Sequence, residues 1–224
     1  MSKKTMIMFP CVSTVVTLVS FLMVAVLFSA GHVQAESIVN GDFEAGNSGF
    51  SSDYTYFPPP GSENMVEQRY TVCTNPNVVH SKWASMGDHT TGNGMMLIAN
   101  GAGNSNTVLW RQDVMLIAGT FYSFSAWASG VHPSYPADLT FEIGGQSLGT
   151  LQLTDDVPDW RQFTTAFTAS TSGAQSLVIR DLETVSIGND FALDDISLTP
   201  VPEPATVALL AIGGSMLLLH RKRK

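Results

Sequence analysis

Basic residues are scarce in the body of this 224-residue chain, and cysteines are scarcer still. Of its eleven Lys and Arg, six stand at the ends: Lys3, Lys4, Arg221, Lys222, Arg223 and Lys224. All nineteen Asp and Glu fall between Glu36 and Glu203, so the middle carries five basic against nineteen acidic side chains, 5 − 19 = −14. Such a surface repels phosphate backbones, which excludes nucleic acid as a partner. Cys11 precedes an apolar stretch rather than following it, so it has no lipidation context, and it leaves Cys73 alone in the body of the chain. An intramolecular disulfide and a Cys-based zinc site are thereby excluded. A lone Cys is expected as a small buried hydrophobe. Also missing are a Gly-x-Ser-x-Gly elbow, a His-Glu-x-x-His pair, a P-loop and a dinucleotide fingerprint. His80 and His89 are nine apart, a spacing that suits no single helix face. Glu142 and Asp155 or Asp156 could pair as glycosidase carboxylates, but acids this abundant make chance pairs easy. Asp155–Asp159 reads better as a solvated loop. The expectation is a protein that is not an enzyme.

Long apolar runs occur only at the two ends. Met1–Lys4 is basic, Val12–Phe28 has no charge, and a small-residue segment closes on Val33-Gln34-Ala35. This is the layout of a signal peptide, residues 1–35, cleaved after Ala35. Seventeen residues span ~25 Å as a helix, just short of a ~30 Å hydrocarbon core, and an uncleaved anchor is the alternative. At the other end Ala205–Leu219 is apolar and stops before Arg221–Lys224. Positive residues stay cytoplasmic, so the tail end remains inside while the middle is exported. Pro202-Glu203-Pro204 stands just ahead, and prolines flanking a glutamate read as an extended, protease-accessible collar.

Val201–Lys224 resembles the PEP-CTERM sorting signal of Gram-negative bacteria: Pro202-Glu203-Pro204, a short transmembrane helix, then a basic cluster. The resemblance implies recognition by an exosortase and tail removal near Pro202-Glu203-Pro204. It further implies a transient membrane anchor and delivery to the envelope, cell surface or extracellular matrix.

Residues 36–200 are long enough for one domain that buries roughly 70% of its unfolded surface. Short β-rich runs alternate there with Gly, Pro, Asn and Asp. The expected strands are Ser37–Asn40, Gln68–Thr74, Met95–Ala99, Thr107–Asp113, Phe121–Ala128, Asp138–Ile143, Ser147–Leu153, Arg161–Thr168, Gln175–Arg180 and Phe191–Leu198. Leu139/Phe141/Ile143 alternates with Asp138/Thr140/Glu142, and Phe163/Thr165/Phe167 repeats the period of two. Tyr122/Phe124/Ala126 with Trp127 is apolar on more than one side and looks central. No stretch holds helical periodicity for three turns. This argues for an all-β, antiparallel two-sheet jelly-roll sandwich between the two sorting segments. Thr55–Glu63, with Pro58-Pro59-Pro60-Gly61, is expected as a surface loop.

Asn40-Gly41-Asp42-Phe43-Glu44 and Leu193-Asp194-Asp195-Ile196 resemble the paired signatures of carbohydrate-binding jelly rolls of galactose-binding-like fold. Asp88-His89-Thr90-Thr91-Gly92-Asn93-Gly94 and Gly188-Asn189-Asp190-Phe191 are similar to motifs of exported bacterial proteins with this ending. The resemblance implies that the first and last strands lie side by side with a structural Ca²⁺ between them. Its ligands would be Glu44 and Asp195, with Asp42 through its carbonyl and Asp88 as a further donor; Ca²⁺ takes six to eight oxygens. The alternative is solvated turn carboxylates, or one neutralised by Arg180. Sugars dock on aromatic rings flanked by hydrogen-bonding groups. The candidates at loop positions are Tyr54, Tyr56, Trp83, Tyr135 and Trp160, whereas Trp110 and Trp127, inside strand patterns, are expected in the core. The function expected is an exported surface or matrix protein that binds exopolysaccharide or another envelope polymer. A structural or adhesive component without a sugar site, and a polysaccharide-degrading enzyme on the same fold, are the alternatives.

Overall fold

Along Asp138–Ile143 the apolar residues Leu139, Phe141 and Ile143 turn inward and are buried, as period-two alternation requires. The same rule organises the rest of a computed structural model that describes residues 38–60, 64–202 and 212–213. Among the described residues ten strands form: β1 Thr55–Tyr56, β2 Arg69–Cys73, β3 Met96–Asn100, β4 Val108–Leu116, β5 Phe121–Gly130, β6 Asp138–Ile143, β7 Gln146–Gln152, β8 Arg161–Thr168, β9 Gly173–Asp181 and β10 Phe191–Pro200. They make a six-stranded sheet ordered β1-β2-β3-β10-β5-β8 and a four-stranded sheet ordered β4-β9-β6-β7. All pairings are antiparallel except the two-residue contact of β1 with β2. The main core lies between the sheets, around Trp110, Phe124, Phe141 and Phe191. Phe141 stacks on Phe163 across it at 4.3 Å and 9°.

Every residue of β3 is buried, because both of its faces are covered. Leu97 and Ala99 point into the main core, whereas Met96 and Ile98 join a second cluster with Met65, Trp83 and Met86. That second cluster forms because the β1–β2 and β2–β3 connections, which carry Met65 and Val79, Trp83 and Met86, fold back over the outer face of the six-stranded sheet. The outer face of β5 and β8 lies beyond it: Gln162, Thr164, Ala166 and Thr168 are exposed.

Two expectations about the chain's start need correction. Residues 38–42 form a turn, not the expected strand Ser37–Asn40, and Thr55–Tyr56 is a strand instead of loop. The turn nevertheless lies beside β10, where the Ile196 amide donates to the Gly41 carbonyl at 2.9 Å. A Cβ on Gly41 would collide with the Ile196 carbonyl, so only glycine allows this approach. The approach is made at a β-bulge: Asp194 faces Trp127 and Ser197 faces Ser125, leaving Asp195 and Ile196 opposite Ala126 alone. Asp195 takes a left-handed φ of 48° there, a conformation Asp tolerates better than most residues. Cys73 is buried, as its isolation implied. The segment through Ala35 expected as a signal peptide, Glu203 and Pro204, and nearly all of Ala205–Leu219 lie outside the described residues. Among the described residues no helix is long and apolar enough to cross a membrane.

Candidate functional site

The two aspartates of the bulge hold the loop 88–94 against the outer face of β10. Asp194 is fully buried, and its Oδ2 accepts from the His89 amide at 2.8 Å, the Thr90 amide at 3.1 Å and the Thr90 hydroxyl at 3.2 Å. Its Oδ1 accepts from the Asp195 amide at 2.9 Å. Burial pushes this carboxyl up to about 6, against the opposing pull of the amides. Asp195 takes the other side of the loop, with Oδ1 accepting from the Thr90 hydroxyl and Oδ2 meeting His89 Nδ1, both at 2.7 Å. Within the loop, Asp88 accepts from the amides of Thr91 at 2.7 Å and Gly94 at 2.6 Å. Burial opposes its charge, but these amides and the Thr91 hydroxyl outweigh that and hold the carboxyl below its usual range.

So anchored, the His89 ring lies flat on Trp127, centroids 3.8 Å apart and planes 16° apart. Trp160 meets His89 edge-on at 5.8 Å and donates from Nε1 to the Gly87 carbonyl at 3.3 Å. All three rings are half-buried, and Trp160 also packs against the second cluster. Trp127 was expected in the core; it is on the outer face instead. Tyr122, Phe124, Ala126 and Ala128 take the inward positions of β5, and Trp127 shares its parity with Ser123 and Ser125. Those serines mark the wet face and were the available signal.

The other aromatic candidates do not join this platform. Trp83 is buried in the second cluster, its Nε1 donating to Asp190 at 2.9 Å and its ring stacked on His80. Tyr54 is buried in the main core, its hydroxyl accepting from the Ala102 amide at 3.1 Å. Both lie beneath connections that the sequence shows only as loops. Tyr135 is 55% exposed in the β5–β6 connection, and Tyr56 is exposed against Tyr70.

The four carboxylates of the expected calcium site divide into two pairs. Glu44 and Asp88 converge on Gly94, where a Cβ would collide with the first and crowd the second. Glu44 also accepts from the Met95 amide at 2.8 Å. Asp42 and Asp195 line a separate pocket beside Gly41 and Ile196. Among the described residues no three His, Cys, Asp or Glu side chains cluster as a metal cage. The Glu44–Asp88 pair suits a hard cation only if backbone carbonyls complete the shell. Arg180, the suggested neutraliser, pairs with Glu142 at 2.6 Å on the opposite sheet.

A buried acidic network at the start of β10 was not foreseen. Asp181 accepts from the Asp138 and Glu183 amides and from Asn189 Nδ2, all at 3.0 Å, while Asp190 holds the Trp83 indole. Burial pushes Asp181 up to about 7 and Asp190 up to about 6.

The last strand ends at Pro200, and residues 200–224 match the model of the PEP-CTERM protein-sorting motif. The tail is a PEP-CTERM sorting signal. It marks the chain as an exported surface protein, membrane-anchored and then processed by an exosortase. No curated protein matches the chain in sequence. Among solved structures, the chain is similar to the N-terminal CBM22-1–CBM22-2 tandem of Paenibacillus barcinonensis Xyn10C, at 15% identity and a TM-score of 0.51. That match covers 78% of this chain and 49% of the tandem, so the chain spans about half its length. It is also similar to the CBM22-1–GH10 modules of Clostridium thermocellum Xyn10B, solved with xylohexaose, at 13% identity and a TM-score of 0.50, covering 75% and 29%. A cyclase from Fischerella sp. TAU matches at 13% identity and a TM-score of 0.47, covering 75% and 98%. At such identities the likeness to the two xylanase modules shows the two-sheet β-sandwich fold alone.

Proposed function

We propose that this PEP-CTERM protein is a non-enzymatic surface component that binds polysaccharide on the platform of Trp127, His89 and Trp160. The observation that carries the reading is the platform itself: three half-buried rings on one outward face, fixed by Asp194 and Asp195. Pyranose CH faces stack on such rings, and hydroxyls are met by neighbouring carboxylate and amide groups. With −14 around it, the platform favours neutral over acidic chains, because a polyuronate would approach against the field. Trp127→Ala is expected to weaken binding of the host's neutral exopolysaccharide at least about tenfold, or ~1.4 kcal/mol, in affinity electrophoresis. Trp127 is half-buried beneath His89, so its loss also costs stability, and an unchanged far-UV spectrum with a cooperative melt separates lost binding from lost folding. Absence of saturable glycan binding by the unmodified protein would leave the structural, adhesive role.

A calcium ion shared by Glu44 and Asp88 is part of the same proposal. It is supported by the convergence of the pair on a glycine and by the lack, among the described residues, of an ion pair to either carboxylate. Binding only to the folded form, calcium at ~100 times Kd adds roughly 2.7 kcal/mol. For a domain of this size that is on the order of 5–10 °C in melting temperature. Glu44→Ala and Asp88→Ala are each expected to erase the increment over chelator. Equal melting in chelator and millimolar calcium would remove the site.

A further inference from the structure

Charge is distributed very unevenly along the sandwich. Segments 114–126, 162–179 and 196–202 contain no Asp, Glu, Lys or Arg, although the acidic side chains outnumber the basic ones nineteen to five between Glu36 and Glu203. The fold brings the ends of these segments together. The turn after β4 meets the turn after β8, with the Gly119 amide donating to the Ala169 carbonyl at 2.8 Å and the Ala169 amide to Thr120 at 3.0 Å. The Ala118 amide donates to the Ser172 hydroxyl at 2.9 Å. The Val201 amide donates to the Phe121 carbonyl at 2.8 Å, which ties the departing chain to the same rim. Ile117, Phe121 and Val201 are exposed there, at 45%, 43% and 37%. The opposite end of β10 holds Asp181, Asp190 and Glu183.

The chain leaves the domain at this rim, and Pro202 follows Val201 directly. Four residues, fully extended, reach ~14 Å from Val201 to Ala205, where the apolar stretch of the sorting signal begins. With that stretch in the bilayer, the rim cannot stand farther off than the headgroup zone and its first water layers. An acidic rim would be repelled by anionic lipid at that distance, whereas an uncharged rim with apolar side chains is not.

We infer that, before the tail is removed, the rim of Ile117, Phe121 and Val201 rests on the outer surface of the membrane. The sandwich then stands upright on this end, with Val201 and Pro202 at the lipid–water boundary. The occupant of the rim is the lipid bilayer.

The test uses the full-length chain with Cys11→Ser, in phosphatidylethanolamine–phosphatidylglycerol vesicles containing brominated lipid. Buried Cys73 stays unlabelled, and a fluorophore is placed at Ile117→Cys, Phe121→Cys or, at the far end, Ile187→Cys, where Ile187 is 74% exposed. Quenching at 117 and 121 is expected to exceed that at 187 by at least about twofold. Equal quenching at the three positions, or none at 117 and 121, overturns the inference. Label-to-label contacts between chains at 117, without lipid quenching, would assign the rim to a second copy and overturn it as well.

Discussion

Raising the pH from 5 to 8 is expected to lower the stability of the sandwich by several kcal/mol, with Asp181 the largest contributor. Burial lifts the Asp181 carboxyl from 3.8 to about 7, and Asp190 and Asp194 from 3.8 to about 6. Between those values the folded state holds protons that the unfolded chain has released. Stability therefore falls as pH rises through this window, and is greatest near or below the unfolded value. At 1.36 kcal/mol per pH unit, Asp181 alone corresponds to about 3 kcal/mol between pH 5 and its folded value of about 7. Asp88 acts in the opposite sense, since its lowered carboxyl favours the folded state until acid protonates it. Urea unfolding at pH 5, 6.5 and 8 reads the sum, and Asp181→Asn is expected to flatten its upper part. A midpoint that stays level or rises across this range would refute the argument.

Asp194→Ala is expected to cost about 2–4 kcal/mol and to abolish glycan binding as well. Four donors converge on this one buried carboxylate: the amides of His89, Thr90 and Asp195 and the Thr90 hydroxyl. Leaving a buried donor unpaired costs ≈ 1–3 kcal/mol, and the loop can recover part of that by lifting into water. Lifting it takes His89 off Trp127 and dismantles the platform. Hydrogen exchange separates this from a general loss of packing. The His89 and Thr90 amides are expected to exchange much faster, while the β6 and β9 amides keep their protection after correction for global stability. Unchanged protection at His89 and Thr90 would show that Asp194 does not hold the loop. Asp194→Asn keeps one acceptor but turns an amide NH₂ towards donors, so it is expected to fall between Ala and the parent.

The sequence alone determined the β-class, most of the strand positions and the sorting tail. Those features are written in local terms: the period of two in Leu139/Phe141/Ile143, the turns between runs, and the contiguous Pro202-Glu203-Pro204, apolar and basic segments. Trp127 was legible too, by its parity with Ser123 and Ser125, but the density of apolar residues in β5 outweighed that signal. Other features had no local sign. Trp83 and Tyr54 look like loop aromatics until the β2–β3 connection folds over β3 and the main core closes, because burial of a loop depends on what packs over it. The division of Asp42, Glu44, Asp88 and Asp195 into two pairs goes with the bulge in β10, where Asp195 meets His89 while Glu44 and Asp88 converge on Gly94. The charge-free rim likewise exists only in three dimensions. Its segments lie far apart in the chain, and antiparallel pairing brings their turns together where the last strand ends.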